Sequence, residues 1–212
     1  IIELVCGGGF MKKSAVFVLL ICLLFGNSFA KENELFAGMR NERYAFIGVQ
    51  TKYRFGLALE NSVLVQKPKI QYIRLAPYYF QEFPFGLNLS YVLYAGMRYD
   101  FDFYDLGTRI SADYSILSER LQVFGSFQVF YDSDLGTELT YLAGTRLFFL
   151  PEVGFQLCIK NMPEYRKPEH RVAGGLIFRT DRISVLPEIS TPLDGQSPLT
   201  RVSVSFIYHL PF

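Results

Sequence analysis

Along most of this chain apolar and polar residues trade places at every step. The pattern is plainest near residue 212. Val202, Val204, Phe206, Tyr208, Leu210 and Phe212 take the even positions, and Arg201, Ser203, Ser205, Ile207, His209 and Pro211 the odd ones. Successive side chains of a strand point to opposite faces, so this segment is predicted as a strand with one greasy face and one mostly polar face. Phe85, Leu87, Leu89, Tyr91, Leu93, Ala95 and Met97 alternate in the same way, as do Leu106, Thr108, Ile110, Ala112, Tyr114 and Ile116. The segments 121–129 and 153–160 follow, with no helical period between them. The polar face carries Gly, Ser, Gln and Arg rather than an unbroken charged surface. Bulky apolar residues outside and small or polar ones inside is the pattern of a transmembrane β-barrel. Closure is then required, because an open edge in lipid leaves backbone groups unpaired.

Twelve strands are predicted: 33–40, 43–51, 54–66, 69–80, 85–98, 106–116, 120–131, 135–149, 152–160, 171–179, 182–190 and 199–211. Ten is the alternative, because the apolar set Ala45, Ile47, Val49, Phe55, Leu57 and Leu59 keeps its parity across the turn proposed at Thr51-Lys52-Tyr53. An odd number is disfavoured in bacterial single-chain barrels. Tight turns at Thr180-Asp181-Arg182, Leu150-Pro151-Glu152 and Leu117 to Arg120 alternate with longer polar segments at 131–134, 161–170 and 190–198. Short periplasmic turns and longer extracellular loops have this asymmetry, and it places both termini in the periplasm. The fold class expected is all-β, an antiparallel up-and-down transmembrane barrel over 31–212.

The segment before the barrel reads as an address. From Met11 it runs MKKSAVFVLLICLLFGNSFA: a basic pair, an apolar stretch from Ala15 to Phe25, and small residues at Ser28 and Ala30. That is a secretory signal peptide over 11–30 with cleavage expected after Ala30. The apolar stretch is well short of the roughly 20 residues needed to span a bilayer as a helix. Residues 1–10 precede a complete signal peptide and read as a spurious upstream extension. Of the three cysteines only Cys158 lies in 31–212, so no disulfide forms within it.

Composition narrows the function. Lys and Arg total 21 against 20 Asp and Glu, without the basic surplus of a nucleic-acid binder. Half the residues are apolar and 19% are charged, which excludes an intrinsically disordered chain. The signal peptide, the amphipathic hairpins and the terminal strand together resemble bacterial outer-membrane β-barrel proteins of porin-like type. The resemblance implies a Gram-negative outer membrane, contact with its lipid and lipopolysaccharide, and insertion by the barrel assembly machinery. In that group the machinery reads a C-terminal aromatic with apolar residues at alternate positions, filled here by Phe206, Tyr208, Leu210 and Phe212.

Candidate chemistry lies mainly on the polar face. The register turns Arg54, Arg98, Arg109, Arg146, Lys160, Arg171, Arg179 and Arg201 inward with Glu60, Asp113, Glu138 and Glu188, a surplus of basic groups. Rings of Arg and Lys in a pore favour anions, so a small-solute, anion-leaning channel is one expectation. The other is a non-conducting barrel whose interior is plugged by internal pairs and whose loops 161–170 and 190–198 serve structure or surface binding. Neither His170 nor His209 has a Ser partner nearby in sequence, so no enzymatic activity is expected. Asp100, Asp102, Asp105, Asp132 and Asp134 are expected in solvated loops, with no metal or cofactor. Tyr78, Tyr79, Phe80, Tyr104 and Tyr131 are expected in the aromatic girdle at the membrane interface.

Overall fold

The computed structural model describes residues 32–40, 44–52, 54–67, 71–117, 120–161, 169–193 and 200–210. The proposed upstream extension, the signal peptide and Phe212 lie outside the described residues. The strands are β1 (Glu32–Arg40), β2 (Tyr44–Lys52), β3 (Phe55–Leu64), β4 (Gln71–Glu82), β5 (Leu87–Arg98), β6 (Tyr104–Ile116), β7 (Leu121–Asp132), β8 (Gly136–Leu150), β9 (Val153–Lys160), β10 (Arg171–Arg179), β11 (Ile183–Pro192) and β12 (Arg201–Leu210). Each is antiparallel to its sequence neighbours, and β12 pairs with β1, which closes the barrel. The architecture is therefore the predicted up-and-down barrel with the larger of the two strand numbers.

Cross-strand register keeps the two faces apart. Leu35, Val49, Leu59, Leu75, Ala95, Leu106 and Tyr131 are successive direct partners around one half of the barrel, all on the outer face. One position along, Glu60, Arg74, Gly96, Asp105 and Asp132 form the matching inner row. Exposed on the outside are Leu93, Ile110, Phe127, Leu139, Leu147, Leu157 and Ile159, among others. In water a continuous apolar band of this kind would be a liability; it is the surface a bilayer requires of a barrel.

The two ends differ. Short connections at 53–54, 83–86, 117–120, 151–152 and 180–182 share one rim with the start of β1 and the end of β12. The opposite rim carries the connections that follow β1, β3, β5, β7, β9 and β11. We refer to these as the short-turn rim and the loop rim. Gly86 turns its corner at φ 83, a left-handed conformation that glycine adopts without steric cost.

Candidate functional site: the barrel lumen

Strand alternation alone decides which side chains share the lumen. Arg98, Arg109, Asp113, Glu138, Arg146, Lys160, Arg171, Arg179, Glu188 and Arg201 occupy inward positions, as does Glu60. Arg54 lies in the bend between β2 and β3 and is exposed. Among the described side chains, five further charges take inward positions that the sequence reading did not give them: Glu34, Arg74, Glu82, Asp105 and Asp132. They leave the lumen much closer to electroneutrality than the predicted basic surplus.

Asp105 and Asp132 are corrections with a physical cause. Both are buried, at the start of β6 and the end of β7, rather than in solvated loops. Asp132 caps the next turn by accepting the backbone N–H of Asp134 at 2.9 Å and of Leu135 at 2.6 Å. Asp105 accepts a hydrogen bond from the Tyr72 hydroxyl and pairs with Arg74 at 2.8 Å. Arg74 also donates from Nε to the Tyr72 hydroxyl at 2.9 Å and lies 4.6 Å from the Tyr94 ring centroid. This cluster leans on Gly96, where any Cβ would collide with the Tyr72 hydroxyl. The close approach explains a glycine in mid-strand.

A second network braces the opposite side of the lumen. Arg146 pairs with Asp113 at 3.2 Å, donates to Gln156 Oε1 at 2.9 Å, and stands 4.2 Å from the Phe124 ring centroid. Gln156 donates onward to Glu188 at 3.3 Å, and Glu188 also pairs with Lys160. Beside this chain Phe124, Cys158, Ala173 and Leu142 pack as an apolar cluster. Thr140 and Ala173 have 0% and 1% of their surface exposed, and Cys158 2%. A buried charge is tolerated only when paired and hydrogen-bonded, and Glu188, the buried charge of this brace, is both.

Smaller pairs hold the rims. Glu169, beside β10, pairs with Arg171 at 2.7 Å and Arg201 at 3.1 Å, joining β10 to β12 across the loop rim. Arg98 pairs with Asp100 at 3.0 Å and Asp102 at 3.6 Å in the connection beyond β5. At the short-turn rim Arg179 donates to the Pro151 carbonyl at 2.6 Å and stacks on Phe148. His209 meets Glu34 at 3.0 Å across the closing seam, and Gln50 donates to the same carboxylate. His170 lies 2.8 Å from the Tyr141 hydroxyl. Among the described residues no cluster of His, Cys, Asp and Glu could hold a metal ion.

The aromatics divide by parity. Tyr104 and Tyr131 face outward with centroids 6.1 Å apart, as a girdle would have them, and Tyr79 stacks outward on Tyr91. Tyr78 and Phe80 instead point into the lumen and line a cavity there, since neighbours in a strand cannot share a face. On β12 Phe206, Tyr208 and Leu210 all lie on the outward face, opposite Val185, Ile183 and Asn33.

Two adjoining lumen cavities are bounded by described residues. The larger, about 300 Å³, is bounded by residues including Glu60, Arg74, Tyr94 and Gln128. The smaller, about 260 Å³, reaches Tyr78, Phe80 and Ser90 toward the short-turn rim. Gln50, Ala58, Ala76, Val92 and Arg109 line both, so the two follow one another along the inside of the barrel.

No family model matches the sequence, and no curated protein matches it. Solved structures do. A KdgM porin in complex with disordered oligogalacturonate superposes with a TM-score of 0.66 at 10% identity, covering 84% of this chain and 98% of that one. The NanC porin gives 0.54 at 10% identity, covering 84% and 100%. The Acinetobacter baumannii outer membrane protein Omp33 gives 0.54 at 8%, covering 84% and 98%. The chain has the fold of outer-membrane β-barrel porins.

Proposed function

We propose that the protein is an integral outer-membrane barrel that passes small polar solutes, with a modest lean toward anions. The observation that carries this reading is the pair of cavities sharing the wall of Gln50, Ala58, Ala76, Val92 and Arg109. A barrel plugged from end to end leaves no such succession of spaces; small ones are filled by side chains. The lean is modest because Glu34, Glu60, Asp105, Asp113, Asp132, Glu138 and Glu188 oppose the inward arginines and lysine. Galacturonate oligomers belong in the solute panel because a KdgM porin of this fold was captured with one.

On this reading the short-turn rim faces the periplasm, the outer face meets lipid and lipopolysaccharide, and the β12 aromatics with Phe212 engage the barrel assembly machinery. The brace of Arg146, Gln156, Glu188 and Lys160 favours a second reading: a non-conducting barrel that acts through its loop rim. Liposome swelling separates the two. Protein-loaded vesicles that swell in arabinose or a small sugar acid, at a rate rising with protein content, support the channel. Vesicles carrying folded barrel that swell no faster than empty ones support the second reading.

A further inference from the structure

Whether or not the barrel conducts, we infer that the connection between β5 and β6 is a membrane anchor. Phe101 stands out from it and seats its ring in the lipid leaflet at the loop rim, where headgroups give way to acyl chains. The connection is a bonded hairpin, not a slack loop. Phe101 donates its backbone N–H to the Arg98 carbonyl at 3.0 Å, and Arg98 donates to the Phe103 carbonyl at 2.9 Å. Tyr99 donates to the Gln71 carbonyl of β4 at 3.0 Å. Arg98, in an inward position, draws Asp100 and Asp102 to itself, so both carboxylates beside Phe101 are held by a cation. Phe103 is buried, with its ring 6.1 Å from that of Tyr72.

Phe101 is doubly unfavourable in water. Its backbone lies at φ 63, a left-handed conformation that a bulky residue rarely adopts. At Gly86 and Gly136 the chain meets the same demand with glycine, at φ 83 in both. The ring itself is 77% exposed. An apolar ring held out on a strained backbone points to a surface that takes it up. Continuity with the lipid-facing wall identifies that surface. Met97 faces outward as the direct partner of Ile73 and Tyr104. Tyr99 stays on that side, its hydroxyl accepting a hydrogen bond at 3.2 Å from Asn61 in the outward row of β3. The connection therefore reclines over the end of β4 on the outer face. Val65, Met97, Tyr99 and Tyr104 are exposed along this edge, and Phe101 extends their apolar band. Tyrosines settle at headgroup level; a phenyl ring, with no polar group, belongs at the acyl boundary.

The test uses full-length protein purified from the membranes of an expressing bacterium, with folding checked by heat-modifiable gel migration. The native chain has no tryptophan, so Phe101→Trp supplies a single reporter. Leu93→Trp, on the outward face of β5, supplies a reference. Each is reconstituted in phosphatidylcholine vesicles with plain or brominated acyl chains. Both are expected to emit at shorter wavelength than tryptophan in water and to lose at least half their fluorescence to bromine. For Phe101→Trp the stronger quencher is expected to be bromine placed high on the chain. Water-like, unquenched emission from Phe101→Trp beside a quenched Leu93→Trp overturns the anchor and leaves the barrel reading intact. Absence of quenching in both removes the lipid-facing wall and the anchor with it. Phe101→Gly decides independently of tryptophan, because glycine relieves the backbone while deleting the ring. A lower urea midpoint in vesicles is expected; an unchanged or higher midpoint overturns the anchor.

Discussion

Glu188 is buried inside the barrel and meets Lys160, Gln156 and the thiol of Cys158. Removing one partner of a paired buried charge strands the other, which costs more than the pair contributes. Glu188→Ala is therefore expected to destabilise the barrel by about 2 kcal/mol, read as a lower urea midpoint of folding in vesicles. Replacing both ends, Lys160→Met with Glu188→Leu, is expected to recover most of that loss, since no charge is then left unpaired. A double variant as unstable as Glu188→Ala would contradict this. Backbone conformation gives a second case. Leu117 sits at φ 52 in the turn after β6, a region that costs a residue with a Cβ about 1 kcal/mol. Leu117→Gly is expected to hold or raise the urea midpoint, and a marked drop would show that its side chain matters more than its backbone.

Strands are where the sequence was most legible. Predicted and observed strands agree to within a few residues because lipid outside and a polar lumen inside leave each side chain only one acceptable face. What blurred the first strands is arithmetic in the hairpins. Where paired residue numbers sum to an even value, as for Gln50 opposite Ala58 or Arg74 opposite Gly96, apolar parity passes through the turn unchanged. Turns with an odd sum, as for Asp113 opposite Asn88, flip parity and announce themselves. The outward face yields a direct test: Leu93 is 63% exposed in the middle of β5, and Leu93→Arg is expected to cost about 2–4 kcal/mol in a bilayer. No loss there would argue against a lipid-facing β5. At the last strand, deletion of Phe212 is expected to slow appearance of the folded, heat-modifiable form in growing cells. Unchanged kinetics would remove the assembly role proposed for β12.

The lumen as a whole was less legible than the strands that build it. Alternation named most of the inward arginines but not Arg74, and it could not show that Asp105 reaches Tyr72 and Arg74, or that Asp132 caps the neighbouring turn. Those contacts depend on which strands meet around the closed barrel and at what stagger. The result is a barrel whose lumen is crossed by networks of paired charges and keeps two connected cavities between described residues. Single-channel recording of the folded protein in a planar bilayer tests that description most directly. Discrete, reproducible current steps are the expected result, small in size because the brace occupies part of the cross-section. A bilayer that stays silent with demonstrably folded barrel inserted would contradict it.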